Sequence, residues 1–254
     1  MRVVSLVNGS LLSEAASFYA ISYAKSVQLP LTFLFVDNGH ESVEKFQSSL
    51  ATLEEIAQGR QVPFESVILK GDVIAQLQHF AQLYSIDTVF CATRKLSNTH
   101  SFSEKIVHSG IQTAIAVVKV KNVSQVRSFH RVLLSTGETI NPHCYLLWIG
   151  LISANGALGK LYLQNNRSVR KASGKSGLKY AAAPFVQLAG MLKQRVEVVQ
   201  VLQPINPALM NNYLVENDLD LVIFNARAHS PKTLNQVTDQ SSTNSILFYP
   251  WKVE

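Results

Sequence analysis

The chain has 254 residues, 47% of them apolar and 16% charged, with a net charge of +6. That length allows two domains of ordinary size, and that composition excludes a disordered or fibrous chain. No secretory leader is visible after Met1-Arg2, and the most apolar stretch, 145–154, is about half of what a bilayer span needs. A cytoplasmic protein without membrane insertion is therefore expected. Cys91 and Cys144 stand alone, with no Cys/His metal spacing, and suit a reducing compartment as small buried hydrophobes.

The first half alternates strand and helix patterns. The apolar run 2–7 is a strand that stops at Asn8-Gly9-Ser10, and Leu12, Ala16, Tyr19 and Tyr23 follow at helical spacing. Pro30 precedes a second strand, 31–36, which ends at Val36-Asp37. Phe46, Leu50, Leu53 and Ile56 line one face of a second helix. A third strand, 64–69, leads to Gly71-Asp72, a turn whose aspartate can cap a third helix through Leu77 and Phe80. A fourth strand, 88–92, a polar loop, a helix near 101–109 and the strand 114–120 complete the half.

The second half repeats that order. Its first strand is 131–136, and Asn141-Pro142 is an N-cap followed by proline at the first helical position. Gly156 ends that helix, and a strand follows at 159–164. Residues 165–178 form a polar, basic, Gly/Ser-containing excursion. Pro184 should interrupt the first turns of the helix after it. Strand 196–202, the cap Asn206-Pro207, and strands 221–225 and 245–251 follow. Continuously apolar strands alternating with amphipathic helices predict parallel sheets covered on both faces, with right-handed crossovers. The expected domains are 1–122 and 123–254, joined by a short linker near 121–130.

One segment occurs twice. IDTVFCATR at 86–94 returns 133 residues later as LDLVIFNAR at 219–227, so that Asp87, Val89 and Arg94 recur as Asp220, Val222 and Arg227. Self-similarity at that distance indicates two copies of one domain.

The element order, the Gly-Asp turn before the third helix, and HSFSEKIVHSGIQTAIAVV at 100–118 resemble the universal stress protein family. Ser101, Ser103, Glu104 and Lys105 match the family's GSVSEKVL-type segment, and Thr93-Arg94 match the serine and arginine after its fourth strand. The resemblance implies two tandem, doubly wound, mostly parallel five-stranded α/β domains. It also implies self-association through the last strands, which a tandem chain can satisfy within itself as a pseudo-dimer, with further dimerisation possible.

Many members of that family hold ATP through a glycine motif, G-x-x-G-x9-G-S/T, whose small residues let backbone amides approach the phosphates. Here Ala92, Lys95 and His100 stand at the glycine positions, and four residues, Leu96 to Thr99, replace nine. Asn8 replaces the family's aspartate after the first strand. Asn8, Gly9, Val36, Asp37, Ala92, Arg94, Lys95 and Ser101 are thus candidates for a vestigial crevice, with no resident cofactor expected. The alternative is a site that still takes ATP or AMP, with Arg94, Lys95 and Ser101 holding the anion.

The charge is uneven. Between Glu138 and Glu197 the sequence has no acid. Arg167, Arg170, Lys171 and Lys175 of the basic excursion are candidate contacts for an anionic partner. Gly174-Lys175-Ser176 ends like a phosphate-binding loop, but Val169 stands where its first glycine is needed. Nucleic acid is not expected, because no aromatics interleave the charges and no reader motif is present. No nucleophile elbow and no metal-ligand spacing of the seven histidines appear, so no catalytic residue and no metal ligand is assigned, and each histidine is expected at the surface or in a cap. The expected protein is a non-catalytic stress-response or regulatory protein acting on an unidentified protein partner. The alternatives are an ATP/AMP sensor and a regulatory module for a membrane transporter.

Overall fold

The computed structural model describes residues 1–39, 42–93, 102–137, 139–164, 174–201 and 205–251, with the side chains of 174–181 left aside. The chain divides into two compact units, one of Met1–Arg127 together with Trp251, the other of Ser128–Pro250.

The first unit runs β1 (Arg2–Leu6), α1 (Leu11–Val27), β2 (Leu31–Asp37), α2 (Val43–Gly59), β3 (Phe64–Lys70), α3 (Val73–Leu83), β4 (Ile86–Thr93), α4 (Phe102–Val107), β5 (Ala114–Lys119) and α5 (Ser124–Arg127). Its strands lie in the order β3-β2-β1-β4-β5, each pair parallel. The second unit runs β6 (Arg131–Thr136), α6 (Pro142–Asn155), β7 (Leu158–Gln164), α7 (Gly174–Met191), β8 (Val196–Val201), α8 (Pro207–Glu216), β9 (Leu221–Asn225), α9 (Pro231–Gln240) and β10 (Asn244–Tyr249). Its order, β8-β7-β6-β9-β10, is the same topology, again parallel. Two tandem doubly wound α/β units are what the alternation of patterns predicts.

Local chemistry explains most boundaries. Ser10 caps α1 by accepting from the Ser13 amide, Asp72 caps α3 from Ala75, and Asn141 and Asn206 cap α6 and α8 ahead of their prolines. Gly156 ends α6 at φ +63, a conformation only glycine adopts cheaply. Inside the first unit, α1 is buried nearly all round and carries small residues, Ala15, Ala16, Ser17, Ala20 and Ala24, that let it lie close to the sheet. Ser17 Oγ meets Ser5 Oγ of β1 at 2.8 Å. In the second unit Trp148 of α6 is fully buried and donates its Nε1–H to the Val132 carbonyl at 3.1 Å.

One expectation needs correction. Residues 174–178 are not loop: α7 begins at Gly174 and continues through Pro184. The strong helix formers of KSGLKYAAA carry the helix into the proline, whose missing N–H and ring cost it locally without ending it. The region between the halves, 121–130, is partly helical. It contains α5, which lies against α1, with the Arg127 guanidinium 5.0 Å from the centre of the Phe18 ring.

The repeated aspartate and arginine prove structural where they are described. Asp87 accepts from the Tyr23 hydroxyl at 2.9 Å and from Thr88 Oγ1 at 2.8 Å. Asp220 accepts instead from the amides of His130 and Arg131 at 2.6 and 3.1 Å. Both sit at the amino-terminal end of their strands, away from the edge where doubly wound sheets bind ligands. Arg227 donates through Nε to the Pro250 carbonyl at 2.8 Å.

Candidate functional site

In the first unit the carboxyl ends of β1, β2 and β4 open a cavity of about 430 Å³. Its floor is apolar: Leu6 of β1, Leu34 and Val36 of β2, and Cys91 of β4. Val73 opens α3 and Phe102 opens α4 at its sides. The rim is neutral and polar, with Asn8, Ser10, Ser13, Asn38 and Thr93. None of the described lining residues is charged. The Cys91 thiol is wholly buried, and burial pushes its pKa up to about 12, so it behaves as floor and not as a nucleophile.

The sequence candidates separate here. Asn8, Val36 and Ala92 line the cavity. Gly9 does not line it. Its φ is +76, and a Cβ there would lie 2.6 Å from the Lys45 carbonyl carbon, so glycine is required for the close approach of α2. Asp37 does not line it either: its carboxylate accepts from the Gly39 amide at 3.0 Å and shapes the turn after β2. Arg94, Lys95, Ser101 and His100 lie outside the described residues. So do Arg167, Arg170 and Lys171, while Lys175 falls within the backbone of the first turn of α7.

Asn8 shapes its own turn. Its Oδ1 accepts from the Ser10 amide at 3.2 Å and from Ser10 Oγ at 2.7 Å, while its backbone amide donates to Ser13 Oγ at 3.2 Å. The Asn8 amide oxygen thus helps organise the α1 N-terminus.

The second unit treats the same place differently. Strand register puts Ser135, Tyr162, Gln164 and Phe224 where the first unit has Leu6, Leu34, Val36 and Cys91. All four are buried. Tyr162 packs on Tyr213 of α8 with ring centres 5.1 Å apart, and His229 sets its edge on Phe224 at 6.2 Å. Burial raises the Tyr162 and Tyr213 hydroxyl pKa values. His229 is 9% exposed, which corrects the expectation that every histidine is at the surface or in a cap. Burial lowers its pKa, and a hydrogen bond to the Ser135 backbone opposes that shift in part. Among the described residues Ser135 Oγ, Gln164 Oε1 and His229 Nε2 find no hydrogen-bond partner.

Sequence reasoning missed Leu34, Cys91, Ser10, Ser13, Asn38, Val73 and Phe102 as lining residues. Ser10 and Ser13 carried a signal, being the hydroxyls that flank a helix start. Val73 and Phe102 carried none, because helices distant in sequence bring them to the edge. Among the described residues no group of three His, Cys, Asp or Glu side chains could hold a metal ion, and no helix is long and apolar enough to cross a membrane.

No family model matches the sequence, and the search of curated proteins found no relative. Solved structures do resemble the fold. A universal stress protein from Archaeoglobus fulgidus matches with a TM-score of 0.62 at 14% identity, over 100% of this chain and 97% of that one. The cytoplasmic domain of a prokaryotic cation chloride cotransporter matches with a TM-score of 0.66 at 12% identity, over 100% of this chain and 96% of that one. At these identities the likeness establishes the fold, which is that of tandem universal stress domains.

Proposed function

We propose that this chain, with its tandem universal-stress fold, is a non-catalytic regulatory protein of the cytoplasm that acts through protein contacts and does not hold ATP as glycine-motif proteins do. The observation that carries this reading is the cavity lining at the carboxyl edge of the first unit, where the described residues carry no charge and the neutral Asn8 turns its oxygen onto Ser10. Phosphate capture needs backbone amides converging on one point, and in the sequence Ala92, Lys95 and His100 stand at the positions where the motif has glycine. Among the described residues the lining of the first-unit cavity is neutral and largely apolar, which favours a neutral ligand over a triphosphate. The buried aromatics of the second unit stand where that cavity would be repeated.

A second reading has its own observation. The cavity of about 430 Å³ is large enough for a nucleoside-sized molecule, which favours a small-molecule sensor, AMP included. The resemblance to a transporter's cytoplasmic domain adds a setting for either reading, a module that regulates a membrane transporter. The test is the nucleotide content of protein purified without added ligand, read as the ultraviolet absorbance of the supernatant after denaturation. The regulatory reading expects no stoichiometric adenine. One equivalent of AMP or ATP per chain replaces it with the sensor reading.

A further inference from the structure

The carboxyl edge of the second unit gathers polar atoms that the chain itself leaves unanswered. Ser135 of β6 stands opposite Tyr162 of β7 and Phe224 of β9, so the three share one sheet face. Gln164 lies two residues beyond Tyr162 and points to the same side. Tyr213 of α8 and His229 close over that face, the first on Tyr162 and the second on Phe224. Ser135 Oγ, Gln164 Oε1, Tyr213 Oη and His229 Nε2 are buried atoms, and among the described residues none finds a hydrogen-bond partner.

The His229 ring fixes what one of these atoms needs. Its hydrogen bond to the Ser135 backbone favours the protonated ring, so a ring N–H donates to that carbonyl. Nε2 is without a partner, so the donor is Nδ1, and Nε2 is left an acceptor while the ring is neutral. Burial holds the ring neutral by lowering its pKa. Gln164 Oε1 can only accept as well. Two buried acceptors cannot serve one another, and leaving either bare costs more than an ordinary hydrogen bond returns. The Ser135 and Tyr213 hydroxyls can donate.

Size and charge narrow what answers them. Ser135 is 0% and Gln164 1% exposed, so the occupant is enclosed. Of the four strand residues, Ser135 alone is smaller than its first-unit counterpart, Leu6, so the room lies beside its hydroxyl. None of the grouped side chains is charged, and Glu197, the carboxylate that bears on Tyr213, is paired with Lys160 at 3.1 Å. An ion here would be uncompensated. A neutral molecule with two O–H donors and two lone pairs meets every requirement, and water is the smallest that does.

We propose that a water molecule is a built-in member of the second unit, donating to His229 Nε2 and Gln164 Oε1 and accepting from the Ser135 and Tyr213 hydroxyls. Matching edges of the two units then differ in kind: the first has a cavity, the second a hydrated polar core. This goes beyond the regulatory reading and does not rest on it.

The test is a crystal structure of the intact chain at a resolution that shows ordered water, joined to nitrogen NMR of the His229 ring. Water should lie within hydrogen-bond distance of both Gln164 Oε1 and His229 Nε2, and the ring should carry its proton on Nδ1 at pH 7.5. A mutant cycle adds a solution measurement. Ser135 Oγ and Gln164 Oε1 do not bond each other, so without a bridge the effects of Ser135→Ala and Gln164→Leu on the unfolding constant in urea should multiply. With the bridge, the double variant should fall short of that product by about twofold or more. Protein donors on the two acceptors, a larger molecule between them, a ring protonated on Nε2, or a plain product in the cycle each overturns the proposal.

Discussion

Asn8 turns its side-chain oxygen back onto Ser10, meeting the hydroxyl at 2.7 Å and the amide at 3.2 Å. Aspartate makes the same turn with the same donors. Asn8→Asp should therefore fold normally, with stability within about 1 kcal/mol of the parent in urea denaturation. It should gain no stabilisation by ATP and magnesium, because the cradle is altered at Ala92 as well. ATP-dependent stabilisation of this variant would show that the missing carboxylate alone excludes nucleotide.

Gly9 serves packing, not ligand contact. Gly9→Ala would force a side chain into φ +76 and against the first turn of α2. A loss of about 2–5 kcal/mol is expected from the two penalties together. A denaturation midpoint like that of the parent would mean that α2 is free to move away.

Gly159 lies beneath Trp148, and a Cβ there would come within 2.6 Å of the indole Cζ2 and 2.8 Å of Ile152 Cδ1. Gly159→Ala should cost about 1–3 kcal/mol by overpacking. Tryptophan fluorescence should report a displaced indole, and an unchanged spectrum at full stability would contradict this packing.

His229 links stability to pH. Its folded-state pKa lies below the unfolded value, so the unfolded chain takes up a proton first as pH falls. Its contribution is complete above the ordinary histidine value of about 6.5 and is lost as pH drops through the folded pKa. The difference in melting temperature between the parent and His229→Gln should therefore shrink from pH 7.5 to pH 5. A difference that stays constant or widens on acidification would show that the imidazole is not buried as described.

Cys91 and Cys144 are fully buried, and burial pushes both thiols up to about 12. Neither should react with iodoacetamide at pH 8 in the native protein, and both should react in denaturant. Native labelling at Cys91 would reveal an opening of the cavity floor.

Much of the fold was legible in short signals with local causes. Asn141-Pro142 and Asn206-Pro207 start helices because an amide side chain and a proline satisfy the first turn without long-range help. The repeat of Asp87 as Asp220 correctly gave two copies, yet not the role of the aspartate, which depends on which donors each fold brings near. The start of α7 was hidden because Gly174, Gly177 and Pro184 argue locally against a helix that the intervening residues nevertheless sustain. At the cavity, Asn8, Val36 and Ala92 could be anticipated because strand ends line the carboxyl edge. Val73 and Phe102 could not, since helix packing alone carries them there. His229 was misplaced because nothing in its neighbourhood, Arg-Ala-His-Ser-Pro, signals burial; Phe224 on the adjacent strand supplies it.

The most direct test of the account is the melting temperature of the intact chain titrated with ATP and magnesium to millimolar concentration. A ligand that binds the native state raises that temperature by mass action. No shift is expected. A saturable rise, lost in Arg94→Ala, would contradict the account and establish a working nucleotide site.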